Sequence, residues 1–250
     1  MALQEELKQQ GDFLFKYRTY FPLVLILMGG FIIMIKPFGI NQNNDLFLSG
    51  FLKGSAIYVG LLGLFVRAYT IGYAKKHTSG RNTAVGQVAE SLNTEGIYSL
   101  TRNPLYLGNY LMWISLAMLT GFIGFVVLVT LIFWIYYERI VFAEEQFLRT
   151  KFGSHYLDWT KETAAFVPKH LKFKKNTTSY NWKDVLKRER NGLIVLFLLF
   201  YVFNLVEAYS QGYISYLEIN FITIGFYTSI VLFVVIKFLE KKTKFLEESI

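Results

Sequence analysis

The sequence has no cysteine, three histidines and four prolines. Without cysteine there are no disulfides, no thiolate metal sites and no cysteine nucleophile. His77, His155 and His170 lie far apart, with no HxxxH or HxxE spacing, so no protein metal site is expected. No Gly-x-Gly-x-x-Gly run follows a strand-like segment, so a Rossmann dinucleotide site is not expected. Acidic residues are also in short supply, with 18 Asp and Glu against 26 Lys and Arg, a net charge of +8. Met1 to Arg18 is polar, lacks an apolar core and a small-residue cleavage site, and is not expected to act as a signal peptide.

Apolar sequence is abundant. The chain of 250 residues is 53% hydrophobic and 18% aromatic, with mean hydropathy +0.34. Apolar runs fall at Tyr20–Ile35, Gly50–Tyr73, Leu105–Leu119, Phe122–Tyr137, Gly192–Tyr209 and Tyr216–Leu239. A spanning helix needs about 20 such residues. The pattern therefore predicts an all-α, polytopic integral membrane protein of about six spans, the third and fourth forming a hairpin at Thr120-Gly121. With the N-terminus in the cytoplasm, the loops Lys75–Arg102 and Arg139–Arg190 and the tail from Lys237 face the same side. Only Lys36 and Lys53 of the basic residues then fall opposite. The positive-inside rule thus predicts both termini in the cytoplasm of a bacterial inner membrane. It also turns the positive charge toward lipid headgroups, with no nucleic-acid partner.

Three polar clusters interrupt this apolar chain. The first runs from Gly96 and Tyr98 through Arg102-Asn103-Pro104 to Tyr106 and Gly108. Pro104 suits the first turn of a helix and Asn103 can cap it. Gly108 permits close approach of a second helix or a ligand. The plain reading is a helix start with Arg102 snorkelling to the interface. In the functional reading Arg102 points into a cytoplasmic pocket. The second cluster is Glu144-Glu145, on an amphipathic continuation of the fourth span that is predicted to stop at Phe152-Gly153. One of these carboxylates can pair with Arg149, or accept hydrogen bonds from a diol or an amino group. The third cluster is the loop around His77, Thr78, Ser79, Arg81 and Asn82, with Arg67 on the helix before it. Its hydroxyl, amide and guanidinium groups suit an anionic headgroup. Arg67 lies within an apolar helix and requires a carboxylate or phosphate partner. Lys169–Arg190, with Lys172, Lys174 and Lys175, reads as a solvated or lipid-facing connector without a catalytic part. Charged groups placed in separate clusters beside hydrocarbon point to chemistry on a lipid.

The order Gly96, Tyr98, Arg102, Asn103, Pro104, Tyr106, Gly108, Glu144, Glu145, Phe152, Gly153, Tyr156 and Pro168 resembles the isoprenylcysteine carboxyl methyltransferase and phospholipid methyltransferase superfamily. The likeness covers roughly residues 50–168, leaving residues 169–190 as connector and 191–250 as a two-helix extension of a single membrane domain. It implies an S-adenosylmethionine-dependent methyltransferase with its cofactor site at the cytoplasmic end of a helical core. On that likeness Asn103, Tyr106, Glu144 and Glu145 contact the cofactor, together with Tyr98, Pro104 and Gly108. Arg102 lies near the transfer site. The family's Arg-His-Pro reads Arg-Asn-Pro here, and Asn103 does not titrate near neutrality.

The Thr78–Thr83 loop and the Glu90–Gly96 run look most like the branch that methylates lipid A phosphates. A phosphate monoester is anionic at neutral pH and needs no general base, so the enzyme has only to align it and hold its charge. Arg67, Arg81 and Arg102 are the catalytic candidates, and His77, Thr78, Ser79 and Asn82 the substrate-binding ones. Phosphatidylethanolamine and prenyl-cysteine carboxylates are the alternative acceptors. A sterol-type reductase using NADPH is a different enzyme class with a similar core. A lipid-binding or transport protein is a non-catalytic alternative, although internal repeats and broken midplane helices are missing.

Overall fold

The computed structural model describes residues 2–35, 46–74, 81–83, 86–212, 220–243 and 245–246, without the side chains at 46–47, 49, 81–83 and 86–88. The chain is a helical polytopic membrane protein. Its helices are α1 (Leu3–Lys16), α2 (Phe21–Ile35), α3 (Leu46–Tyr73), α4 (Pro104–Leu119), α5 (Ile123–Glu162), α6 (Trp182–Ser210) and α7 (Phe221–Lys242). Between α3 and α4 lie a short antiparallel pair, β1 (Arg81–Thr83) with β2 (Gly86–Val88), and a 3-10 turn at Ile97–Ser99. The apolar periodicity did not anticipate this small ladder.

Among the described residues, α3, α5, α6 and α7 are long and apolar enough to cross a membrane, and α1 with α2 makes a fifth if the two count as one broken span. That differs from the expected six. The difference lies at α4, whose 16 residues extend only about 24 Å, short of a hydrocarbon core of about 30 Å, and at α2, whose 15 residues reach spanning length only together with α1.

The contacts divide the chain into two units. One comprises Thr19–Ala68, Gly108–Leu131 and Trp182–Ile250. Its core is Ile33, Ala56, Leu116, Leu119, Leu196, Phe200 and Phe203, with α6 packed on α7 and α2. Gly63 and Gly108 mark a close helix crossing. A Cβ on Gly63 would lie 2.6 Å from the Gly108 carbonyl oxygen, and one on Gly108 would lie 2.6 Å from Cγ of Arg67. In this unit the Arg67 guanidinium forks onto buried Glu189, with Nε donating to Oε2 at 2.9 Å and Nη2 to Oε1 at 2.6 Å. Nη1 donates to Asn109. The partner that Arg67 required is thus a carboxylate, supplied by α6.

The second unit comprises Met1–Arg18, Tyr69–Leu107 and Ile132–Asn181. Here α1 lies against α5. The crossing is at Gly11, where a Cβ would stand 2.2 Å from the Arg139 carbonyl oxygen. Tyr136 donates to the Leu14 carbonyl at 2.8 Å, and Arg139 Nε to Gln10 at 2.9 Å. At 40 residues, α5 is far longer than a bilayer requires. The predicted stop at Gly153 is instead a kink. Gly153 takes φ 53° and ψ −128°, and the helix resumes to Glu162. Positive φ is inexpensive only for glycine, so the chain turns there and still recovers helical hydrogen bonding.

Candidate active site

The segment before α4 is fixed by the segment after α5. Arg102 N donates to the Ala164 carbonyl at 2.9 Å. Thr101, fully buried, donates from its hydroxyl to Ala165 O at 3.0 Å, and Asn103 Nδ2 donates to the same oxygen at 3.1 Å. Asn103 therefore spends its amide nitrogen on this zipper. Pro104, buried, begins α4 as its sequence position predicts.

This anchoring aims two side chains at α5. Tyr106, one turn into α4, donates its phenol to Glu144 Oε1 at 2.9 Å. Arg102 donates to Glu145 Oε1 from Nε at 2.9 Å and from Nη2 at 2.8 Å. Its third nitrogen, Nη1, reaches the Thr163 carbonyl at 2.5 Å and that of Thr160 at 3.5 Å. Neither carboxylate takes Arg149, which is exposed. The pairing with Arg149 that helical spacing offered to either carboxylate gives way at Glu145 to a planar fork that satisfies several acceptors at once.

Around these pairs stands an aromatic wall. The Tyr106 ring lies 4.8 Å from that of Tyr137, which stacks on Phe133 at 4.1 Å. Tyr98 comes from the 3-10 turn, buried beside Tyr156 and Trp159. Burial pushes the Tyr98 phenol well above its ordinary pKa; the negative charge of Glu144 adds to the shift, and a hydrogen bond with Asn93 opposes it. The kink at Gly153 is what returns Tyr156 and Trp159 to this wall. The Tyr156 hydroxyl faces the charges of Glu145 and Arg102. The Trp159 indole N–H is buried with no hydrogen-bond partner among the described residues, whereas the Tyr156 hydroxyl, also buried, lies within reach of Glu145 and Arg102 without a bond of good geometry. Orphaned donors of this kind cost free energy in a folded chain unless a ligand or water accepts from them. Arg18 brings a positive charge from beyond the end of α1 that is felt at Glu144.

The connector after Pro168 is more ordered than its composition implies. Gly96, at φ 59°, donates its N–H to Lys174 O at 2.8 Å, and a Cβ there would strike Asn176. Lys174 N donates to Ser99 Oγ at 3.0 Å. Thr177 donates to Glu95 from both its backbone and its hydroxyl, and Asn181 N donates to Gly72 O. Part of the expected solvated connector is therefore a strap over the turn that carries Tyr98.

The predicted site residues thus separate. Tyr98, Arg102, Asn103, Pro104, Tyr106, Glu144 and Glu145 fall in one unit. Arg67 and Gly108 belong to the other, where both serve the helix crossing described above. Arg81 and Asn82 lie on β1, with their side chains outside the description. His77, Thr78 and Ser79 lie outside the described residues. The structure adds Trp159, Asn93, Thr163 and Arg18. Only Trp159 carried a sequence signal, three residues beyond Tyr156 on a helical face.

Residues 55–155 match the model of the phospholipid methyltransferase family. Three relatives show lower-level similarity. The nickel-cobalt-cadmium resistance protein NccN of Alcaligenes xylosoxydans xylosoxydans is 27% identical over 56% of this chain and 61% of its own length. The protein-S-isoprenylcysteine O-methyltransferase of Schizosaccharomyces pombe is 25% identical over 49% of this chain and 52% of its own. The cobalt-zinc-cadmium resistance protein CzcN of Cupriavidus metallidurans is 28% identical over 44% and 48%. The chain therefore spans about half to three fifths of the length of these relatives. No solved structure matches significantly. The family match and the yeast relative support the superfamily named from the motifs.

Proposed function

We propose that this chain is an S-adenosylmethionine-dependent methyltransferase acting on a membrane lipid at the cytoplasmic face of a bacterial inner membrane. The finer reading is O-methylation of a lipid A phosphate. One observation carries the enzyme reading: Tyr106–Glu144 and Arg102–Glu145 join the two separate motifs into one cluster. A scaffold without chemistry has little reason to hold two adjacent carboxylates, an arginine fork and the orphaned indole N–H of Trp159 in one aromatic recess.

The residues fit the cofactor. Glu144 and Glu145, with the faces of Tyr98, Tyr106 and Tyr156, suit a sulfonium, an ammonium and a ribose diol. The orphaned indole N–H of Trp159 suits a ring nitrogen of a purine. Bound S-adenosylmethionine supplies an electrophilic methyl group. Glu145 is held in one orientation by Arg102, and Glu144 by Tyr106, so neither must reorganise when a cation arrives.

The acceptor side rests on a smaller set than the sequence reading gave it. Arg67 is occupied by Glu189 and serves as a strut of its unit. Arg102 is shared with Glu145, so a phosphate must compete for its fork. Arg81, with Asn82 and the hydroxyls of Thr78 and Ser79, remains the anion-binding set. A second reading, with phosphatidylethanolamine or a prenyl-cysteine carboxylate as acceptor, draws on the phospholipid methyltransferase match and the yeast relative.

Lipid mass spectrometry of a host with and without the gene tests the function. One added methyl on a lipid A species is the expected result. The same gain on phosphatidylethanolamine selects the second reading, and no methylated lipid in any class refutes both.

A further inference from the structure

We infer that Val167–Lys175 is an interfacial clasp, which seats Leu171 and Phe173 among the acyl chains of an anionic leaflet while its lysines contact headgroup phosphates. The inference concerns a surface outside the site and does not depend on the reaction proposed above.

Three observations meet here. First, large apolar side chains stand in the open: Val167 is 73%, Leu171 85% and Phe173 50% exposed. On a soluble surface such a run would be costly; beside a bilayer it is an insertion motif. Second, Lys169, Lys172, Lys174 and Lys175 are exposed between and beside them, and no acidic residue occurs from Thr163 to Asn181. Among the described residues, Lys174 alone of these lysines has a carboxylate, reaching Glu162 at 3.3 Å. A segment of interleaved lysines and apolar residues complements anionic lipid. Third, the height of the segment is set. The Phe166 ring lies 5.8 Å from that of Trp134, which is itself 53% exposed within the apolar part of α5. A lipid-facing tryptophan close to where the apolar part of a helix gives way to its polar part belongs to the interfacial aromatic belt, so the contact of Phe166 with Trp134 sets the start of the clasp at that level.

The segment is fastened at both ends, by Arg102 and Thr101 to Ala164 and Ala165 and by Gly96 to Lys174. Its side chains are therefore presented on a backbone that is already ordered, which lowers the entropy cost of insertion.

The absence of cysteine gives a direct test. Leu171→Cys creates a single thiol in the full chain, to be labelled with an environment-sensitive fluorophore. The labelled protein is placed in nanodiscs of phosphatidylcholine, with and without phosphatidylglycerol. Acyl-chain nitroxide lipids should quench the probe severalfold more strongly in the anionic discs. Replacing the four lysines with glutamine, or raising salt, should abolish the difference. Phe173→Cys provides a second probe position should the first variant fold poorly. A probe open to aqueous iodide and equally so in both lipids overturns the proposal. So does protection seen only in host membranes, which would assign the surface to a protein partner.

Discussion

Replacing Arg102 with lysine keeps the charge and removes the fork. The guanidinium donates twice to Glu145 and also to the Thr163 and Thr160 carbonyls. A lysine ammonium reaches one or two of these acceptors from a single point. Each charge-assisted bond contributes about 1.5–3 kcal/mol net, so Arg102→Lys should lose about that much stability. Arg102→Ala leaves Glu145 without its partner. Breaking a fully buried pair costs about 3–5 kcal/mol. With the side chains of Arg102 and Glu145 14% and 27% exposed, water recovers part of this, which places the cost near the lower bound. Because Glu145 is then free to turn, cofactor affinity should fall as well, about tenfold for each 1.4 kcal/mol of lost orientation. The assay is a double-mutant cycle of Arg102→Ala with Glu145→Gln, read by denaturant unfolding in detergent and by calorimetric titration with S-adenosylmethionine. A coupling of about 2 kcal/mol in stability is expected. Additive mutations, or an Arg102→Ala protein that binds the cofactor normally, would show that the fork does not position Glu145.

Tyr106→Phe removes the phenol that donates to Glu144 Oε1 and should weaken cofactor binding by about tenfold, measured by the same titration; unchanged affinity would detach Glu144 from the site. Gly153→Ala meets no neighbour within 4 Å, so its cost is conformational alone, about 1–3 kcal/mol. It should lower both unfolding stability and affinity by displacing Tyr156 and Trp159, and an alanine variant of full stability would contradict the kink. Arg67→Ala should destabilise by about 3–5 kcal/mol, whereas Arg67→Met with Glu189→Leu should lose much less; denaturant unfolding of the single and paired variants decides between these outcomes. A reporter fused at the C-terminus should be active in the cytoplasm, and periplasmic activity would overturn the sidedness drawn from the basic residues.

What sequence could reveal here was local. Pro104 at a helix start, Gly108 at a close crossing and the need of Arg67 for a counter-ion each follow from one residue in its own neighbourhood. The identity of each partner did not, because partners such as Glu189 for Arg67 and Glu145 for Arg102 lie far along the chain. Arg149 was the visible partner for either carboxylate because helical spacing can be read in a sequence and a fork from another segment cannot. Gly153 announced a break, but whether a glycine ends a helix or bends it depends on what the next turn can bury, here Tyr156 and Trp159. The connector looked solvated by composition, yet its backbone donors and acceptors are used by Gly96, Ser99 and Glu95. Composition records side chains and is blind to such backbone bonds.

The zipper and the fork also set a timetable. Arg102 leaves the ribosome 43 residues ahead of Glu145. At a synthesis rate of about 5–20 residues per second, that interval lasts about 2–9 s. Through those seconds the guanidinium has neither its carboxylate nor the Thr163 carbonyl, and the start of α4 has nothing to close against. The nascent chain must therefore keep Arg102 hydrated at the membrane surface until the far end of α5 emerges. The aromatic recess is accordingly a late product of synthesis, and chains interrupted within α5 would display an unpaired arginine beside an exposed apolar helix to the cell's quality-control machinery.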